Sequence, residues 1–391
     1  MTRKGVWNVQ EVRDKQLASL WAQETTYWSW GSGNYGQLGT GTVPNQSSPM
    51  QITGSNWTSL GGHRFGGTGV KDDGTLWTWG LNTDGQLGIN NRTVKYDPVQ
   101  VGTDSDWYTA TQSDGKDQYF IKNDGTMYAV GYNQNARLGI SENTHTRISS
   151  PVQMPGTTWK WVMSAGAGAH AIKTDGTLWG WGMGTDGRIG INDAENYSSP
   201  KQLPGTSWAW VSESEKITIA TRTDGTLWTW GQNSGYGGLG HNNRTNYSSP
   251  RQIPGTWSYA ENNQIASQNE QVCAAIKGDG TLWMWGYNHT GALGQNSPMP
   301  AGSRSSPVQV GTETTWNGIE IGGTDPTVIA SKSDGTLWAW GFAGEGRFGT
   351  NNNTPQSSPV QIGTGTKWSG NIHAGGGAMY AVQKSLTPSQ L

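Results

Sequence analysis

The feature that most constrains this chain is a short apolar run that recurs at a nearly fixed period. Asp73-Gly74-Thr75-Leu76-Trp77-Thr78-Trp79-Gly80 is one copy, and Asp175 to Gly182, Asp224 to Gly231, Asp279 to Gly286 and Asp334 to Gly341 repeat it. Asp124 to Gly131 is a softened copy, and Tyr27-Trp28-Ser29-Trp30-Gly31 lacks the leading Asp-Gly. The copies stand 49 to 55 residues apart. A period in this range marks solenoids, propellers or arrays. Within one copy, Asp-Gly is a hairpin signal, because glycine accepts the positive φ of a tight turn. Leu-Trp-x-Trp is a strand with two apolar faces, which requires cover on both sides. The slot between the aromatics is small in most copies, so a neighbouring sheet is expected to come close there.

Three further signals follow in fixed order. A turn ends in Leu-Gly or its equivalent, from Leu38-Gly39 to Phe348-Gly349. Ser-Ser-Pro-x-Gln follows, as at Ser149 to Gln153, with Tyr96-Asp97-Pro98-Val99-Gln100 replacing it once. Then comes one more tryptophan: Trp57, Trp107, Trp159, Trp208, Trp257, Trp316 or Trp368. These slots absorb all of the 23 tryptophans except Trp7, Trp21, Trp161 and Trp210. Their purpose is packing between repeats, and an aromatic platform for a sugar would have to draw on those four. About fifty residues with four short strands make one propeller blade, and seven copies make seven blades.

The ends complete each other. The first unit lacks the strand that normally precedes its Leu-Trp-x-Trp, and Ala378 to Lys384 aligns with the strands ending at Ile172-Lys173 and Ile276-Lys277. The expected fold is therefore all-β: a seven-bladed propeller of four-stranded blades, closed by pairing of N- and C-terminal strands, with no exposed sheet edge at the seam. The expected organisation is an arm over residues 1–24, the propeller over 25–384 and a tail over 385–391. The pattern of Asp-Gly-Thr-Leu-Trp-x-Trp-Gly, Leu-Gly and Ser-Ser-Pro-x-Gln resembles the RCC1-like repeat family, and the resemblance covers about residues 25–384 across the seven units. The resemblance implies a seven-bladed propeller that serves as a binding platform. Members include a nucleotide exchange factor for a small GTPase and a secreted β-lactamase inhibitor. The family's Gly-Gly-x-His is kept only in part, at Gly61-Gly62-His63 and near Ala169-His170.

Function is less constrained. The net charge of −2 and the absence of a like-charge run speak against nucleic acid as partner. No apolar run reaches the length of a membrane span, and Met1-Thr2-Arg3-Lys4 leads into no apolar core of a secretory signal. Cys273 stands alone, which leaves no intrachain disulfide. The six histidines show no metal-ligand spacing, and no nucleophile elbow or phosphate loop occurs. The expectation is a non-enzyme with no cofactor and no metal. Val9, Val12, Leu17, Leu20 and Trp21 fall within about half of a helical wheel, and with Trp7 they are the candidate contact residues of a segment that is either a helix packed on its own domain, a frayed end or a docking arm for another subunit. Two sets of irregular loops offer a second surface. One includes His63 to Phe65 and Ser212 to Lys216; the other includes Asn90 to Tyr96 and His241 to Tyr247, with Arg92, Tyr96, Tyr197, Arg244 and Tyr247 as contact residues. The opening Lys4 to Asp14 resembles N-terminal segments of phage tail and fibre proteins. The leading expectation is a bacteriophage virion protein, located in the virion, attached through the arm and touching a host-surface protein or glycan through the loops. The alternative is a soluble regulator or inhibitor that binds one protein partner on a propeller face.

Overall fold

The computed structural model describes residues 21–388 except 43, 111–115, 143–144, 167, 260–263, 269–271, 298 and 300–301. Seven four-stranded antiparallel sheets stand around one axis, each with its strands in inner-to-outer order. Blade 1 is made of Trp57–His63, Gly66–Lys71, Leu76–Gly80 and Lys95–Gln100. Blades 2 to 6 repeat this order, with inner strands Trp107–Ala110, Trp159–Ala165, Trp208–Glu213, Ile265–Gln268 and Trp316–Gly322. Blade 7 joins both ends of the chain: inner strand Trp368–Ala374, then Ala378–Pro388, then Trp21–Gly31, then Gln46–Gln51 outermost. The ring thus closes as the complementarity of the ends requires, with Tyr27 opposite Val382 and Trp30 opposite Met379.

Residues 21–24 and 385–388, expected in the arm and the tail, are strand. Trp21 lies in the strand Trp21–Gly31 and pairs with Pro388, so the backbone of residues 21–24 is tied to 385–388. A helical wheel cannot see a pairing partner more than 360 residues away, which is why Trp21 reads as helical. Trp7, Val9, Val12, Leu17 and Leu20 lie outside the described residues.

Each sequence signal has a packing task. The second aromatic of Leu-Trp-x-Trp is fully buried and reaches into the preceding blade. There its indole N–H donates to the carbonyl just before Leu-Gly: Trp79 to Gln37 (3.0 Å), Trp230 to Arg188 (3.0 Å), Trp285 to Gly238 (2.7 Å), Trp340 to Ala292 (2.8 Å) and Trp30 to Arg347 (2.9 Å). The glycine of Leu-Gly makes room for that ring. A Cβ at Gly139 would come within 2.7 Å of the Trp181 indole. The small slot serves its own blade and not a neighbouring sheet, since Thr78 and Thr229 donate their hydroxyls to the carbonyls of Leu87 and Leu239 in the same blade. The glycine closing the run is fixed by backbone: at Gly80, φ is +104° and a Cβ would stand 2.2 Å from the Phe65 carbonyl oxygen.

Ser-Ser-Pro also ties blades together. The backbone N–H groups of Asn90, Ser141, Asn192, Asn242, Asn296 and Asn351 donate to the first serine carbonyl of the next blade's outer strand, at 2.6 to 2.9 Å. Those six residues all have positive φ, an unusual conformation for side chains that asparagine tolerates best.

The Asp-Gly hairpins are pinned by their own side chains. Asp73 Oδ1 accepts the Thr75 N–H and hydroxyl (3.0 and 2.6 Å), and Thr75 Oγ1 accepts the Trp77 indole N–H (2.8 Å). The same set recurs at Asp175, Asp224, Asp279 and Asp334, and without the indole at Asp124. The threonine hydrogen bonds hold all six carboxyls below their ordinary 3.8. A depressed carboxyl stabilises the fold above its unfolded pKa, and that stabilisation is lost as pH falls through the folded value. Melting temperature is therefore expected to drop below about pH 4. A variant with Asp175, Asp224 and Asp279 each changed to Asn should show a shallower drop. An equal slope in thermal melts from pH 7 to 2.5 would show that these hairpins do not drive the acid limb.

Candidate binding surfaces of the ring

Antiparallel alternation sorts the connections between two ends. Turns from inner to second strand and loops from third to outer strand leave one end; the Asp-Gly hairpins and outer-to-inner links lie at the other. Both irregular sets therefore spring from the same end, termed the loop end. The second set is partly consumed in structure, because its asparagine positions make the blade-to-blade bonds to Ser-Ser-Pro.

The loop-surface residues sit on the outer rim. Arg92 is exposed and its guanidinium reaches the Arg147 carbonyl at 3.5 Å. Tyr96 is 41% exposed on the outer strand of blade 1. Tyr197 opens the outer strand of blade 3, donates its hydroxyl to Asp193 (2.7 Å) and lies under Lys201. Arg244 is exposed. Tyr247 opens the outer strand of blade 4, accepts from the Asn243 amide (3.0 Å) and carries the Arg251 guanidinium over its ring at 4.5 Å. Tyr197 and Tyr247 belong to neighbouring blades, whereas Arg92 and Tyr96 belong to blade 1, so the five residues form no single patch.

At the axis, the loop end is nearly closed. Arg64 of blade 1 reaches across the mouth to Glu215 of blade 4, 3.7 Å away, both side chains about one third exposed. Arg64 also lies over Phe65, which meets Tyr35 of blade 7 edge-to-face. Beneath them is a space of only about 80 Å³, lined by Ser164, Glu213, Glu320 and the backbone of Gly322 to Thr324. That is room for a few waters, well below the size of a cofactor pocket.

Buried polar pairs back this mouth. Arg137 faces Asp117 at 3.7 Å. Burial pushes the Asp117 carboxyl up to about 6, with Arg137 opposing. His170 sits between Glu213 (Nδ1 to Oε2, 3.0 Å) and the Ile189 carbonyl, which Nε2 meets at 3.0 Å. A carbonyl only accepts, so Nε2 carries the proton. The partial Gly-Gly-x-His at His170 is thus a blade 3–blade 4 contact. Among the described residues no group of His, Cys, Asp and Glu is placed to hold a metal ion. Cys273 is fully buried, and burial raises its thiol pKa.

The hairpin end carries two features that sequence reading missed. Six blades place a Lys or Arg two positions before the hairpin aspartate, and each cation lies over a pair of aromatic rings. Lys71 sits 3.8 Å from the Trp77 centroid and 5.1 Å from Trp57; Arg222 sits 4.5 and 4.3 Å from Trp228 and Trp208. Lys122, Lys173, Lys277 and Lys332 repeat the arrangement. Such contacts are worth about 0.5–2 kcal/mol each. The recurrence of Lys or Arg at one offset was the available signal. The second feature is at the axis, where Trp161 of blade 3 and Trp210 of blade 4 stack with centroids 4.1 Å apart and planes at 26°.

Fold and repeat together define a seven-bladed β-propeller. The profile of the regulator of chromosome condensation (RCC1) repeat matches residues 26–60, 73–111, 175–220 and 224–266. The chain is 25% identical to the ultraviolet-B receptor UVR8 of Arabidopsis thaliana over 350 residues, covering 85% of this chain and 65% of that protein. It is 31% identical to the regulator of chromosome condensation of Xenopus laevis over 77 residues, 19% of this chain and 18% of that one. It therefore spans just under two thirds of the first relative and about a fifth of the second. Human WBSCR16 superposes with a TM-score of 0.79 at 21% identity, over 92% of this chain and 99% of its own. Prp20p of Saccharomyces cerevisiae, whose structure is described with its binding to Gsp1p and histones, also gives 0.79, at 16% identity over 98% and 96%. At these identities the structural likeness concerns the fold.

Proposed function

We propose that the chain is a non-catalytic, protein-binding module, a soluble regulator or inhibitor that meets one partner protein with the loop end of the ring. The observation that carries this reading is the closed axial mouth. Arg64, Glu215 and Phe65 turn that end into a broad, charged and aromatic surface over a space too small for a substrate. Such a surface suits a macromolecule, with rigid blades holding the loops. The relatives point the same way: Prp20p is described by its binding to Gsp1p and histones. The narrower reading, a virion component attached through residues 1–24, takes no support from the named relatives and stands second.

The test is affinity purification from the source cell, followed by reciprocal capture with the recovered protein as bait. Wild type should retain its partner, Arg64→Glu should lose it by placing like charges across the mouth, and Lys160→Glu at the opposite end should keep it. Retention by Arg64→Glu with loss by Lys160→Glu would move the contact to the hairpin end. A partner that is recovered only from intact virions would return the virion reading to first place.

A further inference from the structure

We propose that the axial mouth at the hairpin end is a carbohydrate-binding site that takes a neutral, pyranose-containing oligosaccharide. The argument begins with Trp161 and Trp210. Both stand two positions after the tryptophan that opens the inner strand. The corresponding residues of four other blades are Ser59, Thr109, Gly318 and Gly370, all small, while blade 5 carries Tyr259 two positions after Trp257. Repeat packing therefore asks for no tryptophan there. Ser59 and Thr109 meet through their hydroxyls at 3.3 Å, and a Cβ at Gly318 would stand 2.7 Å from the Gly370 carbonyl oxygen, so those blades close tightly with small residues. Blades 3 and 4 instead place two stacked indoles at the axis.

The stacked pair walls a cleft of about 340 Å³, within the range of small-ligand pockets. Tyr108 stands beside it, 55% exposed although it is a large aromatic ring. The rest of the lining is neutral and hydrogen-bonding: Thr58, Ser59, Thr109 and the Asn371 amide, with Lys160 as the one cation and no carboxylate among the described residues. An adjoining cleft shares Lys160 and Ala209 and ends at Tyr259, 48% exposed; its Lys173 and Asp175 are already engaged, by the Trp159 and Trp179 rings and by Thr177.

Lining chemistry selects the ligand class. An anion would need convergent cations, and one lysine does not supply them. A cation would need a carboxylate. A wholly apolar ligand would strip water from the Asn371 amide and from the Thr58, Ser59 and Thr109 hydroxyls and offer them nothing in exchange. A pyranose offers what the cleft lacks, with C–H faces for aromatic rings and hydroxyls that both donate and accept for Thr58, Ser59, Thr109 and Asn371. The adjoining cleft gives an oligosaccharide room beyond its first ring. This site lies at the opposite end from the proposed protein contact, so the two readings fail separately.

The full-length chain is to be probed on an array of neutral and sialylated oligosaccharides, then by calorimetry with cellotriose, maltotriose and triacetylchitotriose. At least one neutral oligosaccharide is expected to bind. Tyr108→Ala, which removes an exposed ring, should weaken binding roughly tenfold with an unchanged melting temperature, and Arg64→Glu should leave binding intact. Absence of binding across the array, a preference for sialylated glycans, or binding insensitive to Tyr108→Ala would each overturn the proposal.

Discussion

Removing residues 378–391 is expected to abolish the soluble monomeric ring. The deleted strand, Ala378–Pro388, is not an edge. It lies between the inner strand Trp368–Ala374 and the N-terminal strand Trp21–Gly31, and it pairs with the latter without interruption from Gly31↔Ala378 to Trp21↔Pro388. Ala378, Met379, Tyr380, Ala381 and Val382 are all 0–1% exposed. The Tyr380 hydroxyl lies within hydrogen-bonding distance of the Gln37 and Gly66 carbonyls (2.6 and 2.9 Å), which joins blade 7 to blade 1, and Gly62 has no Cβ because the Tyr380 ring occupies that space. Burial of Met379, Tyr380 and Val382 alone contributes on the order of 5–9 kcal/mol at about 1.5–3 kcal/mol per large side chain. A domain holds about 5–15 kcal/mol in total. The deletion also strips hydrogen bonds from two strands at once, leaving apolar edges that invite aggregation. Size-exclusion chromatography and circular dichroism would read the result. A variant ending at Pro388 should behave as wild type. A variant ending at Gly377 that melts like the parent would show that the ring does not depend on this seam.

The seam was legible because it needs only the repeat and arithmetic: one unit short of a strand at the start, one strand left over at the end. Blade number, strand content and the burial of Trp30, Trp79 and Trp181 follow from the same periodicity. What the sequence did not disclose involves partners set by the ring itself. Arg64 and Glu215 meet only because blades 1 and 4 face each other across the axis. Trp161 and Trp210 were visible as tryptophans outside the repeat slots, but their stacking depends on the angle between two inner strands. The loops after Leu-Gly looked like free display, and no local signal showed that Asn90 or Asn242 would bond to a serine carbonyl in the next blade. The cation over each tryptophan pair was missed for a different reason. Its recurrence was in plain view, but a lysine before a turn ordinarily reads as solvated surface.

Trp181→Ala is expected to cost about 3–5 kcal/mol, the range for truncating a large buried aromatic. The Trp181 ring is fully buried, and its N–H donates to the Arg137 carbonyl at 2.9 Å with the Tyr119 hydroxyl oxygen at 3.3 Å. Truncation would leave a cavity over Gly139 and a buried carbonyl with one partner fewer. Trp179→Ala should cost less, because that ring is half-buried and faces Lys173 at the hairpin end. Blade 2 shows what the site requires. There Val130 replaces the tryptophan, and the volume returns on the adjacent strand as Phe120, where the other blades carry Gly69, Ala171, Ala220, Ala275, Ala330 or Ala381. The inner tryptophan keeps an aromatic neighbour at the same distance in both arrangements, with Trp107 and Phe120 centroids 5.9 Å apart and Trp57 and Trp79 also 5.9 Å apart. Trp181→Val alone should therefore be nearly as damaging as the alanine change, while Trp181→Val with Ala171→Phe should recover a substantial part of the loss. Chemical denaturation of the three variants would decide it. Additive losses in the double variant would mean that the exchange of ring and methyl between strands is peculiar to blade 2, and a Trp181→Ala loss below about 0.5 kcal/mol, the usual effect of a surface substitution, would mean that the blade interface does not rest on this indole.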